Sequence, residues 1–340
     1  MSFFTGKNIL VTGGAGLCGH GIIRRALDEG AFVYATIRGD SITYSDYGDG
    51  LPRVLLSKKF DIVHPNLMLM PCDLLDYADC LKVAKGMDIV FHAASSTAGA
   101  AGQTDASVVA KLVRESVILG TNMMSAAVES GVDRFGFIGS STMYPDLAFP
   151  VREEAGFDGD PWKGYMGVGW MKRYLEKAAA FYSTLGLTKF VLVRTTAVYG
   201  PHDHFDLKRG HVIPALVLKF TNKMNPLEVW GDGNDVRNFI YIDDLVDGLF
   251  RLVEKGDNCN PYNIATREVS TVNDILTALT TISGFQPKII YDNTKPSMIP
   301  YRTVSVDKIE RDFGWQAKVS LAEGLAKTVA WCKEQNYGKA

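Results

Sequence analysis

Cysteine is scarce in this sequence. Cys18, Cys72, Cys80, Cys259 and Cys332 are the only 5 among 340 residues, odd in number, scattered, and without a CxxC pair. That excludes a disulfide scaffold and a cysteine-built zinc module, and it points to a reducing, cytoplasmic compartment. Charge of one sign is also missing. The 36 Lys plus Arg and 38 Asp plus Glu leave a formal net charge of −2, which gives no electrostatic footprint for nucleic acid. No apolar run approaches about 18 residues, so no membrane-spanning segment is expected. Residues 1–7 lack the pattern of a signal peptide. Internal repeats and low-complexity tracts are absent. His64, His92, His202, His204 and His211 stand at no recognised ligand spacing with cysteines or acids, so no metal is expected. His202-x-His204 beside Asp203 is the one arrangement open to another reading, and a loop is the simpler account.

What is present is ordinary globular composition, with 46 % hydrophobic and 22 % charged residues and enough chain for two lobes. Apolar strand-like runs at 8–12, 31–37, 67–71, 88–92, 134–139 and 189–194 alternate with amphipathic helical runs at 17–29, 77–84, 106–130 and 168–185. Such alternation predicts parallel pairing and right-handed crossovers, hence an α/β, Rossmann-type doubly wound sheet. After about residue 200 the elements shorten and are broken by Pro201, Pro226, Gly231 and Gly233. Helices are expected at 243–255, 272–283 (capped by Ser270-Thr271 and Asp274) and 321–334. This predicts a nucleotide-binding domain of 1–200 plus about 237–258. A smaller α/β substrate lobe takes about 201–236 and 259–340.

Thr12-Gly13-Gly14-Ala15-Gly16-Leu17-Cys18-Gly19 joins the first strand to the first helix, and Gly13, Gly16 and Gly19 fit GxxGxxG. Glycines permit a tight turn and a close backbone approach to a pyrophosphate, which the helix N-terminus then faces with unpaired N–H groups. The second strand ends in Arg38 rather than in an acid that would bind a ribose 2′-OH. That points to NADP, with NAD as the open alternative. Asp73 and Leu74 after the third strand would reach the adenine edge. Ala93, in a run of small residues after the fourth, would let the backbone pass beside the cofactor.

With these motifs in place the chain resembles the extended short-chain dehydrogenase/reductases, the epimerases, dehydratases and reductases of nucleotide sugars. It is most similar to their GDP-L-fucose synthase branch. The resemblance runs through the glycine turn, HAAS (92–95), GSSTMYP (139–145), VYGPHD (198–203), HVIPAL (211–216), VWGDG (229–233) and RNFIYIDD (237–244). It implies that Ser140 hydrogen-bonds a sugar oxygen, that Lys172 binds the nicotinamide ribose, and that His211 is an acid/base. It also implies that Lys219, Trp230, Arg237 and Arg302 line the site of a nucleotide-diphosphate sugar. A homodimer built on two helices per subunit, 106–130 and 168–185, follows from the same resemblance.

Two departures stand out. The family's catalytic pattern is YxxxK, and the position four before Lys172 is Val168. The nearest tyrosine, Tyr165, is seven residues before Lys172, roughly 10 Å along a helix. Gly164, Gly167 and Gly169 would let the helix start late and Tyr165 fold back into the site. The second departure is Thr142, where fucose synthases carry a cysteine and dehydratases a glutamate, so dehydration is disfavoured. Ser140-x-Thr142-x-Tyr144 resembles the 4-epimerases instead. The expected activity is therefore NAD(P)-dependent epimerisation or reduction around carbon 4 of a GDP-linked sugar. The alternatives are a 3,5-epimerase acting through His211 without a hydride step at carbon 4, or a binding homologue that lost catalysis.

Overall fold

The computed structural model describes residues 1–37, 43–45, 53–55, 60–97, 99–207, 210–295 and 298–335. Seven strands form one parallel sheet: β1 (Asn8–Thr12), β2 (Phe32–Ile37), β3 (Leu67–Pro71), β4 (Ile89–His92), β5 (Arg134–Ser140), β6 (Lys189–Thr195) and β7 (Tyr262–Ile264). Their order is β3-β2-β1-β4-β5-β6-β7. The order reverses between β1 and β4, and that switch point opens a crevice at the carboxyl ends of the strands. β7 was not expected from the sequence. It is only three residues long, too short for a periodicity to show.

Alternation along the strands sorts side chains into two apolar layers. Ile9, Val11, Ile89, Phe91, Val191 and Val193 enter the layer covered by α1 (Leu17–Asp28) and a helix from late in the chain, α6 (Ile242–Lys255). Leu10, Val90, Phe135, Phe137, Phe190 and Leu192 enter the layer covered by α2 (Tyr77–Ala84), α3 (Ala106–Glu129) and α4 (Met166–Tyr182). Two glycines set the helix contacts. A Cβ on Gly21 would stand 2.8 Å from Ile242 Cγ1, and one on Gly120 would stand 2.7 Å from Leu175 Cδ2. So α1 and α6 touch closely, as do α3 and α4.

The rest of the chain adds α5 (Val212–Thr221), α7 (Val272–Ser283), α8 (Leu321–Glu334) and short strand pairs. A capping box between Thr271 and Asp274 starts α7, and Gly284 ends it at φ +66. Strand Leu227–Trp230 pairs in parallel with Ile289–Asp292. Strand Val236–Arg237 lies between Ser270–Thr271 and Tyr301–Arg302, in a register that sets Arg237 opposite Arg302.

Candidate active site

A single cavity of about 730 Å³ runs from the glycine turn to the C-terminal strand pairs. At one end α1 begins without a side-chain cap, at Gly16. The three glycines of the motif do different work. Gly13 sits at φ +71, and a Cβ there would stand 2.8 Å from Ala94 Cα, so the turn packs directly on the end of β4. A Cβ on Gly19 would overlap the Gly13 carbonyl and stand 2.8 Å from Gly14 Cα. Gly16 is different. Its nearest neighbour would be 3.5 Å away, so packing within the protein does not demand glycine there. A pyrophosphate lying against the helix start would demand it, and an uncapped helix N-terminus at Gly16 is suited to such a group.

Leu17 and Ala93 line the cavity with Gly16 and Gly19. Asp73 and Leu74 do not: Leu74 is buried with the α2–α3 layer, and Asp73 is exposed, its Oδ1 accepting from Leu75 N–H at 3.0 Å. Arg38 lies outside the described residues.

The middle of the cavity collects Ser140, Thr142, Tyr165, Val168, Lys172 and His211. Ser140 ends β5, and its Oγ accepts from Thr142 N–H at 3.2 Å and Thr142 Oγ1 at 3.1 Å. Its own hydroxyl proton is thereby directed elsewhere, available to an oxygen in the cavity. Lys172 is buried on α4 and donates from Nζ to the Ile138 carbonyl at 3.2 Å, 5.4 Å above the Phe137 ring. Burial pulls its pKa down from 10.5 to about 8, with Cys18 and Glu176 acting in the opposite direction. Glu176, one turn further, is held by Arg194 in a buried pair at 2.7 Å.

Tyr165 closes a 3₁₀ turn, Lys163–Tyr165, and α4 starts at the next residue rather than at 168. It is buried, with backbone at φ −114, ψ 12, and its ring lies 4.7 Å from the Arg302 guanidinium carbon and 5.3 Å from Trp162. The neighbouring glycines make this path open. A Cβ on Gly164 would overlap the Trp162 ring, and one on Gly169 would stand 2.5 Å from Pro161 Cβ. Val168 also faces the cavity, buried beside Met171 and Leu175.

His211 is exposed at the cap of α5 with no capping bond from its side chain. Near it, Asp203 accepts at Oδ1 from His204 N–H at 2.7 Å, while Oδ2 is buried without a hydrogen bond among the described residues. Burial raises the Asp203 carboxyl above its usual range, and His211 counteracts this. From the sequence alone Asp203 reads as a loop residue. Its only signal was an acid directly after Pro201-His202.

Beyond lie Arg237 and Arg302. Both are on the cavity wall, adjacent in register. Burial, and then Arg302, lower the Arg237 pKa to about 10. Arg302 keeps Nε and a terminal N buried without partners among the described residues. Arg237 is already engaged, donating to the Val236 and Pro300 carbonyls at 2.7 and 3.2 Å and pairing with Asp235 at 3.4 Å, so the unsatisfied donors are those of Arg302, and the two positive charges together suit an anion such as phosphate. Lys219 donates to the Glu228 carbonyl at 2.6 Å, and Trp230 Nε1 donates to Glu228 Oε1 at 2.9 Å. Glu228 carried no sequence signal, since it reads as an outward-facing strand residue.

His202 does not join His204. Its ring stacks on His20 at 3.8 Å and 8°, with Asp61 near both. Parallel rings cannot aim two in-plane lone pairs at one ion, and the Arg24 guanidinium sits 3.5 Å from His202 Nε2. Burial holds His20 to a pKa of about 3 and His202 to about 4, so this is a neutral stacked pair.

A glycine turn at the switch point of a parallel sheet, opening on one cavity with Ser140, Lys172 and the two arginines, is the arrangement of a dinucleotide-dependent enzyme. The chain belongs to the NAD dependent epimerase/dehydratase family, whose profile matches residues 9–265. GDP-L-fucose synthase of Sinorhizobium fredii (strain NBRC 101917 / NGR234) is 30 % identical over 226 residues, 64 % of this chain and 71 % of that one. GDP-mannose 3,5-epimerase of Arabidopsis thaliana is 27 % identical over 337 residues, 96 % of this chain and 82 % of that one. The structure of a GDP-mannoheptose C4 reductase from Campylobacter jejuni, with NADP bound, superposes with a TM-score of 0.77 at 21 % identity, covering 98 % and 100 % of the two chains. No helix among the described residues is long and apolar enough to cross a membrane.

Proposed function

We propose that this protein is an NAD(P)-dependent epimerase or 4-keto reductase acting around carbon 4 of a GDP-linked sugar. The observation that carries the reading is the Arg237–Arg302 pair in the same cavity as Ser140, Tyr165 and Lys172. The nicotinamide, when bound, gives or takes the hydride. The chain supplies the rest. The arginines hold the diphosphate. Ser140 donates its hydroxyl hydrogen to the carbon-4 oxygen. Tyr165 delivers a proton to that oxygen on reduction and takes it back on oxidation. Lys172 fixes the ribose and adds positive charge. Gly13, Gly16, Leu17, Gly19 and Ala93 form the pyrophosphate end, and Arg38 in place of an acid favours NADP. Incubation with GDP-, UDP-, CDP- and dTDP-sugars, with products followed by NMR, tests the reading; a product altered at carbon 4 is expected.

Asp203 beside His211 favours one second reading, proton exchange at carbons 3 and 5 through His211, with Thr142 in the place of a cysteine. Deuterium uptake from D₂O at those carbons distinguishes it.

Residues 1–200 with about 237–258 are assigned to the cofactor and about 201–236 with 259–340 to the sugar nucleotide, except that β7 (Tyr262–Ile264) belongs to the seven-stranded sheet and Arg237 to the sugar-nucleotide side. The exposed stripe Met166, Trp170 and Tyr174 on α4, at helical spacing, suits a homodimer face shared with α3. Five free cysteines suit the cytoplasm.

A further inference from the structure

Tyr165 stands just outside the regular helix, so its ring is not held by the helical ladder. It closes the 3₁₀ turn Lys163–Tyr165, one residue before α4 begins, and its N–H donates to the Trp162 carbonyl at 2.7 Å. No hydrogen bond holds its hydroxyl among the described residues. Two side chains pack on the ring instead. Trp162 lies 5.3 Å away at 59°, laid over Gly164, where a Cβ would overlap the indole. Arg302 places its guanidinium carbon 4.7 Å from the ring centroid. Arg302 lines the cavity with Tyr165, whereas Trp162 is not among the lining residues.

Arg302 differs from its neighbour in what it leaves open. Arg237 is tied to the Val236 and Pro300 carbonyls and to Asp235. Arg302 has Nε and Nη1 buried with no partner among the described residues. Buried donors left unpaired are costly, and a planar cation stacks on an aromatic ring by its face while donating along its edge. The edge of Arg302 therefore suits the diphosphate, and its face suits Tyr165. Lys172 is directed elsewhere, to the Ile138 carbonyl and the Phe137 ring. We propose that Arg302 is the positioning residue for Tyr165: the diphosphate of a bound sugar nucleotide fixes the guanidinium, and the guanidinium fixes the tyrosine ring. This inference rests on the reading of Tyr165 as the acid/base at carbon 4 and of the second ligand as a nucleotide sugar.

A double-mutant cycle tests it. Turnover of a GDP-linked 4-keto sugar with NADPH is measured for the wild type, Arg302→Lys, Tyr165→Phe and the double variant, with thermal unfolding of each sample. Lysine keeps the positive charge but has no planar face. Arg302→Lys should lower kcat about 10–100-fold at saturating sugar nucleotide, the scale of a catalytic group misplaced by about 1 Å. In the Tyr165→Phe background the same change should lower kcat less than about twofold, because no hydroxyl remains to be placed. Arg302→Gln should show the same split in kcat between the two backgrounds, with a larger rise in KM than Arg302→Lys. Wild-type kcat in the folded Arg302 variants, even with a raised KM, would overturn the inference and leave Arg302 as a diphosphate ligand alone. So would an equal loss in both backgrounds, which would mean that Arg302 acts on the substrate without Tyr165. Wild-type turnover in Tyr165→Phe, or none in the wild type, would instead overturn the underlying reading, and the inference with it.

Discussion

Tyr165→Phe removes one hydroxyl and nothing else. The ring would keep its place beside Arg302 at 4.7 Å and Trp162 at 5.3 Å. No hydrogen bond from the hydroxyl to another described residue is lost, so stability should change by less than about 1 kcal/mol. Catalysis should respond differently. A positioned acid/base contributes roughly 10²–10⁴-fold, equal to about 3–5 kcal/mol of barrier at 1.36 kcal/mol per decade. The loss should fall on kcat, with KM for the sugar nucleotide little changed, because the arginines that hold the diphosphate are untouched. The assay is steady-state turnover with thermal unfolding of the same sample. Wild-type turnover in a folded Tyr165→Phe would refute the assignment. Val168→Tyr then becomes the informative converse. Val168 is buried on the cavity wall, so the larger ring costs about 1–3 kcal/mol of overpacking while returning a hydroxyl one turn from Lys172. Raised turnover at carbon 4 is expected if the enzyme is merely impaired by the missing tyrosine, and no change if the site has been rebuilt for exchange at carbons 3 and 5 through His211.

The remaining expectations concern cofactor, charge and anion. Gly16→Val should fold, since its Cβ meets nothing closer than 3.5 Å, yet weaken NAD(P) binding by orders of magnitude; unchanged affinity by fluorescence titration would remove the pyrophosphate from this turn. Gly13→Val is the poorer test, because its side chain strikes the Ala94 backbone at φ +71 and disturbs the fold itself. The Lys172 pKa falls from 10.5 to about 8 in the fold, so the native state binds fewer protons than the unfolded chain between those values. Stability should therefore rise with pH across about pH 8–10.5 and carry its full penalty below pH 8. Lys172→Met should gain up to about 3 kcal/mol at pH 7 by urea unfolding and lose turnover, and equal stability at pH 7 would contradict the burial penalty. Arg302→Gln should leave the fold intact and raise KM for the sugar nucleotide about 10–150-fold, whereas an unchanged KM would move the diphosphate elsewhere.

The doubly wound sheet was legible because its strands are buried on both faces and its helices are long and amphipathic. Six strands and the helices at 17–28, 77–84 and 106–129 are expected from pattern alone within a residue or two. The late helices expected at 243–255, 272–283 and 321–334 also match α6, α7 and α8 within a residue, but the late strands were not legible. Val236–Arg237 and Tyr301–Arg302 are two-residue strands fixed by long-range pairing, which no local period announces. The glycine motif was readable as a turn, but the separate duties of Gly13, Gly16 and Gly19 appear only in three dimensions. Tyr165 was readable as a candidate through its glycines. Its approach to Arg302 depends on a contact across 137 residues, the difference of their numbers. Glu228 and Asp203 were illegible as site residues, because one looks like a solvated strand residue and the other like a loop acid.

The most direct test of a hydride step at carbon 4 uses a GDP-linked 4-keto sugar, which is both a reductase's substrate and a 4-epimerase's intermediate. It is incubated with the protein and NADPH deuterated at the transferring position of the nicotinamide, and the product is read by deuterium NMR and mass. The expected result is one deuterium at carbon 4 of the sugar, abolished in Tyr165→Phe. A sugar recovered without label at carbon 4, or exchanging only with solvent at carbons 3 and 5, would contradict it.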